Sequence, residues 1–307
     1  MKKVLIATEK PFAVVAVEGI KDILGKAGYE VVLLEKYAGS AELQQAVADV
    51  DALIVRSDKV TKEVVDAARQ LKIVVRAGAG YDNLDLEACT GKGVVAMNTP
   101  GQNSNAVAEL AIGMMIFMAR NQFTPGTGSE LKGKNLGIHA YGNVGKLVAV
   151  LGKGFGMNVF AFDPFVSEET LKKDGITVIT DVKELYRKCH YVSLHIPAND
   201  NTKKSIGYDL FSSMPKGGAL INTARKEVID EDGLLKAMME RNDLKYASDI
   251  APDGIAKMED SVGLRVFATP KKMGAETAEA NINAGLAAAQ QIVDFFQKKD
   301  TRFQVNK

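Results

Sequence analysis

Six consecutive residues, Ala140-Tyr141-Gly142-Asn143-Val144-Gly145, and an acid further on, Asp163, carry the clearest chemistry in the chain. The run lies close to G-x-G-x-x-G, with alanine in the first glycine position. Such a turn lets backbone N–H groups approach a pyrophosphate, and the helix start behind it adds partial positive charge. Gly145 permits close packing of that helix on the preceding strand. A carboxylate at position 163 accepts hydrogen bonds from ribose hydroxyls and repels a 2′-phosphate, which favours NAD over NADP. Because Ala140 carries a methyl group, its backbone is expected to avoid positive φ.

The elements that must hold these residues follow from periodicity. Residues 136–140 and 159–162 are short apolar runs with the length of buried strands, and apolar residues at helical spacing fill 146–155 between them. Strand, glycine turn, helix, strand and acid in that order give the motif its context. Before it, strands are expected at 4–7, 30–34, 52–55, 73–76 and 94–97, with helices at 12–27, 41–50, 61–69 and 84–91. A nearly all-apolar helix at 106–120 must be buried on most sides, and the Gly, Ser, Thr and Pro of 121–134 read as a loop. Beyond Asp163, strands are expected at 177–179, 191–194, 219–222, 246–249 and 266–268. Helices are expected at 168–174, 182–188, 208–213 and 231–241. A long last helix at 276–298 is followed by a tail with no sheet partner left nearby, expected to pack back on the first lobe.

This alternation defines an α/β fold of two doubly wound parallel-sheet lobes, with the cleft between them as the default active site. The first lobe, flavodoxin-like and substrate-binding, is expected to comprise 1–97 plus 284–307. The second, a Rossmann NAD-binding lobe, is expected to comprise 98–283. At 307 residues the chain is long enough for two cores. A net charge of +1 gives no reason to expect nucleic acid or an anionic membrane as partner. Two distant cysteines and three histidines argue against a disulfide framework or a metal site, and fit a reducing cytoplasm. No apolar run reaches the length of a membrane span.

Several segments together carry a resemblance. They are Arg56-Ser57-Asp58-Lys59-Val60-Thr61, then Arg76-Ala77-Gly78-Ala79-Gly80-Tyr81-Asp82-Asn83, then Asn98-Thr99-Pro100-Gly101 with Asn103 and Glu109. The dinucleotide unit with Asp163-Pro164, Leu194-His195-Ile196-Pro197 with Thr202, and Ile221-Asn222-Thr223-Ala224-Arg225 complete the set. In this order they resemble the D-2-hydroxyacid dehydrogenase family over nearly the whole length. The resemblance implies NAD-dependent oxidation of a phosphorylated 2-hydroxy acid. Gly78, Ala79 and Gly80 would then offer backbone donors to the substrate carboxylate, with Asn103 nearby, and Arg56 and Ser57 would face the phosphate. Arg225 would clamp carboxylate and carbonyl with the bidentate geometry of a guanidinium. Pro164, His195, Ile196, Pro197, Thr202, Thr223, Ala224 and Gly274 would line the cofactor beside the 141–145 turn, and Asp249 would meet the nicotinamide amide.

The chain departs from that family where its general base should be. A histidine after Thr-Pro is expected, but Lys271-Lys272-Met273-Gly274 follow Thr269-Pro270. The assisting glutamate is replaced by Gly254, with Asp253 nearby, and the Gly-Gly after the arginine by Lys226-Glu227. Loss of both members is coherent with a lysine base, because a glutamate would raise a lysine's pKa and hinder it. Such a base needs burial and nearby positive charge. Lys271 is assigned that role, with Lys272 as the fallback. A homodimer through the nucleotide lobe is implied, with a smaller interface where the 123–134 arm is abbreviated. No regulatory domain is expected after the last helix. Two alternatives stay open: a reductase for another 2-oxo acid such as glyoxylate or hydroxypyruvate, and a non-catalytic NAD-dependent binding protein.

Overall fold

The computed structural model describes all residues, Met1–Lys307, and divides into two compact units, 1–103 with 276–307 and 104–275. The first unit alternates β1 (Lys3–Thr8), α1 (Val14–Lys26), β2 (Glu30–Glu35), α2 (Ser40–Ala46), β3 (Ala52–Val55), α3 (Lys62–Ala67), β4 (Ile73–Arg76), α4 (Leu86–Gly91) and β5 (Val95–Asn98). The strands form one parallel sheet in the order β2-β1-β3-β4-β5. β1 and β3 are apolar on both faces, as a strand covered by helices on both sides must be. The strand order reverses between β1 and β3, so the loops at their C-terminal ends splay apart and leave room for a ligand.

The second unit opens with α5 (Ser104–Ala119), whose Ala108, Ala111, Ile112, Met114, Met115 and Met118 are buried. Then follow β6 (Asn135–His139), α6 (Asn143–Gly154), β7 (Asn158–Phe162), α7 (Glu168–Lys173), β8 (Thr177–Val178), α8 (Val182–Lys188), β9 (Tyr191–Leu194) and α9 (Tyr208–Ser212). β10 (Ala219–Asn222), α10 (Glu231–Glu240), β11 (Lys245–Ser248), α11 (Ile255–Val262) and β12 (Val266–Ala268) complete it. Its parallel sheet runs β12-β11-β10-β9-β6-β7-β8, and the order reverses between β6 and β9. Each buried Leu, Ile or Val of these cores contributes about 1.5–3 kcal/mol over exposure. The expected elements are present with ends displaced by a few residues. Helix α11 is absent from the sequence expectation, because 250–265 mixes Gly, Pro and charge and its apolar stripe is short, Ile255, Met258 and Val262.

The last helix, α12 (Ala278–Lys298), belongs to the first unit and packs on α1. Ala284, Gly285, Ala288 and Ala289 form its contact face, and a Cβ on Gly285 would come within 3.0 Å of Ile20 Cδ1. Small residues therefore set the close approach of the two helices. The tail does find a sheet partner, against the sequence expectation. Gln304 bridges Met97 antiparallel, Val305 N–H donates to Ala96 O, and Asn306 Oδ1 accepts from Ala96 N–H. Edge strand β5 offered backbone groups that a buried tail needs to pair. No helix is long and apolar enough to cross a membrane.

Candidate active site

β6 and α6 build the dinucleotide cradle at the reversal of the second sheet. Gly142 is the N-cap of α6 and has no side chain to satisfy the first amides of the helix, which therefore stay available to an anion. A Cβ on Gly142 would meet nothing within 4 Å, so the turn faces open space. At Gly145 a Cβ would lie 2.3 Å from Ala140 O and 2.9 Å from Ile138 Cγ2, so only glycine lets α6 sit on β6. These features fit a pyrophosphate. Ala140 corrects the sequence expectation: its φ is +81°, in the region that favours glycine. The turn imposes the conformation because Ala140 N–H bonds Phe162 O on one side while its carbonyl abuts Gly145 on the other. Tyr141, assigned to the cofactor, buries its ring and directs its hydroxyl to Asp174 Oδ2; its amide donates to Asp163 Oδ2 at 2.7 Å.

Asp163 ends β7 with its carboxylate fixed from two sides, since Oδ1 accepts from Phe165 N–H at 2.8 Å. It lines a cavity of about 510 Å³ together with Gly142, Pro164, His195, Ile196 and Pro197. His195 Nε2 is buried there without a hydrogen-bond partner, which leaves a polar atom for a ligand to satisfy. Burial first, then neighbouring His139, push His195 down to about 3; burial pushes His139 down to about 4 against the opposing charge of Asp163. Both rings are therefore neutral at physiological pH. His139 Nδ1 lies 3.2 Å from Tyr186 OH, as a packed histidine with one hydrogen bond. Thr202 braces its own loop: Oγ1 donates to Pro197 O and accepts from Asn199 N–H.

The turn after β10 carries Thr223, Ala224 and Arg225. Sequence reasoning left out its organiser, Asn222, although the residue stood in the quoted motif. Asn222 is buried; its Oδ1 accepts from Ala224 N–H at 3.0 Å and its Nδ2 donates to Arg225 O at 2.9 Å. An Asn reaching two residues on along its own chain is a turn-forming pattern and was a usable signal. Thr223 Oγ1 is buried and unpaired. Arg225 is half-buried and donates from Nη1 to Ala224 O. Lys226 pairs with Asp253, and Glu231 accepts from the amides of Asp253 and Gly254 at the start of α11. Lys226, where the family has glycine, is thus tied to the neighbour of Gly254, and Gly254 itself is held by Glu231.

Asp249, expected at the nicotinamide, is buried and accepts from Met273 N–H, Gly274 N–H and Thr269 Oγ1. Lys271 and Lys272, between those donors, are exposed, so Lys271 lacks the burial expected of a lysine base.

In the first unit, Arg56 is half-buried and braced: Nη1 donates to Lys10 O and Pro11 O, Nη2 to Asn281 Oδ1, and the guanidinium lies 5.2 Å from the Phe12 ring centre. Ser57 is exposed. Gly78, at φ +149°, donates its own N–H to Arg76 O, and Ala79 and Gly80 beyond it are partly exposed. Asn98 Nδ2 holds Ala79 O at 2.6 Å. Asn103 ends this stretch of the unit, partly exposed. Two residues escaped the sequence reading. Asp58, buried, accepts from Glu9 N–H, Tyr37 OH and Arg56 N–H. Arg76 lays its guanidinium across Gly78, where a Cβ would lie 1.5 Å from Nη1; burial, then Arg56, lower its pKa. Neither shows in hydropathy patterning, because Arg76 ends an apolar strand and Asp58 lies in the turn beyond one, where a polar residue is ordinary.

A glycine cradle, an anchored acid and a strand-end arginine on doubly wound sheets define the class of nicotinamide-dependent α/β oxidoreductases. Residues 110–270 match the family described as D-isomer specific 2-hydroxyacid dehydrogenase, NAD binding domain, and the chain belongs to the D-isomer specific 2-hydroxyacid dehydrogenases. A D-3-phosphoglycerate dehydrogenase of Methanocaldococcus jannaschii is 36% identical over 266 residues, 82% of this chain and 51% of that protein. A hydroxypyruvate reductase of Thermotoga maritima is 32% identical over 283 residues, 86% of this chain and 90% of the relative. The crystal structure of NAD+-bound 3-phosphoglycerate dehydrogenase in Entamoeba histolytica matches with a TM-score of 0.85 and 50% identity, covering 100% of this chain and 99% of that one. The chain spans about half the length of the curated D-3-phosphoglycerate dehydrogenases it matches.

Proposed function

We propose that the protein is an NAD-dependent D-3-phosphoglycerate dehydrogenase, oxidising D-3-phosphoglycerate to 3-phosphohydroxypyruvate, the first step of the phosphorylated route to serine. The observation that carries a phosphorylated substrate is the second arginine: Arg76 joins Arg56 beside the 78–80 turn, two guanidinium groups for one small anion. The 50% identity to a phosphoglycerate dehydrogenase across both chains supports the same choice.

When bound, NAD would supply the acceptor for the hydride that leaves C2. The α6 start, Gly142 and Asp163 hold the pyrophosphate and ribose. The amides of Ala79 and Gly80 receive the substrate carboxylate, and Arg76 with Arg56 the phosphate. Arg225 grips carboxylate and C2 oxygen, and stabilises the charge that develops on that oxygen as its proton leaves. Lys271 accepts that proton. Its exposure makes water-excluding closure of its loop around substrate part of the proposal. A homodimer through the second unit belongs to the same reading. Phe123 at 69% and Val150 at 64% exposure supply apolar surface for it. Two free buried thiols accord with a cytoplasmic setting.

A reductase for hydroxypyruvate is the second reading, favoured by the Thermotoga relative, which the match covers almost end to end. Steady-state NADH oxidation with 3-phosphohydroxypyruvate, hydroxypyruvate, glyoxylate and pyruvate separates them. Preference for the phosphorylated acid supports the proposal, and preference for hydroxypyruvate replaces it. No turnover with any of them would indicate a non-catalytic NAD-binding protein.

A further inference from the structure

We propose that Asp249 is a positioning residue whose buried carboxylate clasps both ends of loop 269–274 and thereby fixes where Lys271 projects. The inference rests on the reading of Lys271 as the acid/base, and its test is separable from that reading.

The loop leaves β12 at Thr269 and turns through Pro270, Lys271 and Lys272 before Met273 and Gly274. Asp249 Oδ1 accepts from Met273 N–H at 2.8 Å and lies 3.1 Å from Thr269 Oγ1, while Oδ2 accepts from Gly274 N–H at 2.9 Å. Thr269 Oγ1 also reaches Asp249 O at 2.7 Å, and Thr269 N–H bonds Ser248 O. Asp249 itself is fixed to β10 through Asn222 O. The carboxylate is 1% exposed, so these partners, not water, satisfy it. A Cβ on Gly274 would lie 2.8 Å from Oδ2, so the loop reaches the acid only because position 274 is glycine.

One charged acceptor thus closes a short loop that carries two exposed lysines. A carboxylate is required because both oxygens must accept; an amide presents one acceptor and one donor, and faces one backbone N–H with another.

The test is amide hydrogen exchange on the full chain for Asp249→Asn, with NADH affinity and turnover measured beside it. Exchange at Met273 and Gly274 should quicken by about tenfold or more. Turnover at saturating NADH should fall by about a hundredfold, beyond any loss of NADH affinity. Should Asp249→Asn not fold, Thr269→Val against Thr269→Ser gives the same readout, with acceleration expected for valine alone. Unchanged exchange at both amides overturns the proposal, as does a fall in turnover no larger than the loss of NADH affinity, which would mark a cofactor contact alone. If Lys271→Ala leaves turnover intact, the acid/base reading fails while the exchange result still decides the clasp.

Discussion

Arg76 Nε donates to the carbonyl oxygen of Arg56 at 3.0 Å, joining the ends of two adjacent strands, β3 and β4. The bond turns the rest of the Arg76 guanidinium across Gly78, where Arg56 repels it and Asp82 offsets part of that repulsion. An anion seated there would relieve that repulsion. Arg76→Ala should raise KM for 3-phosphohydroxypyruvate by about 10–100-fold, as loss of charge-assisted hydrogen bonds does. The KM for hydroxypyruvate should change far less. Arg56→Ala should add a fall in melting temperature, since Arg56 also braces Lys10, Pro11 and Asn281. Initial-rate kinetics with both acids, and a thermal melt, check this.

Lys271→Ala should lower turnover by about 10²–10⁴-fold, the range for loss of a general acid/base. NADH binding, followed by fluorescence titration, should persist. Lys272→Ala should keep most of the activity, and the reverse ranking would move the acid/base role to Lys272.

Ala140 sits at φ +81° for the sake of the turn. Ala140→Gly should therefore stabilise the fold or leave it unchanged, within about 1 kcal/mol, with relief of the methyl set against added unfolded-chain freedom. Gly145→Ala should destabilise by about 1–3 kcal/mol, because its Cβ meets a carbonyl oxygen at 2.3 Å and α6 must move. Urea unfolding of the two variants reads both signs.

His139 and His195 are held at about 4 and about 3 from an ordinary 6.5. Between 6.5 and those values the unfolded chain binds protons that the folded chain does not. Stability is therefore full above about pH 6.5 and falls as pH drops, by up to about 1.4 kcal/mol per pH unit for each histidine. Below the folded values this contribution is already lost and the slope ends. Urea midpoints at a series of pH values should show the fall, and His195→Gln should reduce its slope.

The sheets and their order were legible because βα alternation with apolar runs such as 4–7, 52–55 and 191–194 admits few topologies. The cradle was legible because Gly145 does a job that only glycine can do and Gly142 leaves the helix start open. What stayed hidden were side-chain networks with no periodic signature. Asp58 gathers three donors from 9, 37 and 56, and Asn222 shapes the arginine turn, yet each reads as one polar residue at or just beyond a strand end. Ala140 was misjudged because local propensity gave way to contacts with Phe162 and Gly145 from both sides. The tail's return to the first unit was legible, but its pairing with β5 was not, because an edge strand's open hydrogen bonds are not visible in the segment that will fill them.

The most direct measurement is NADH formation from D-3-phosphoglycerate and NAD+ by the purified protein, with the keto product trapped to draw the reaction forward. One NADH for each 3-phosphohydroxypyruvate trapped is the expected result, with D-glycerate a far poorer substrate. No NADH from D-3-phosphoglycerate, alongside ready reduction of hydroxypyruvate, would contradict the account.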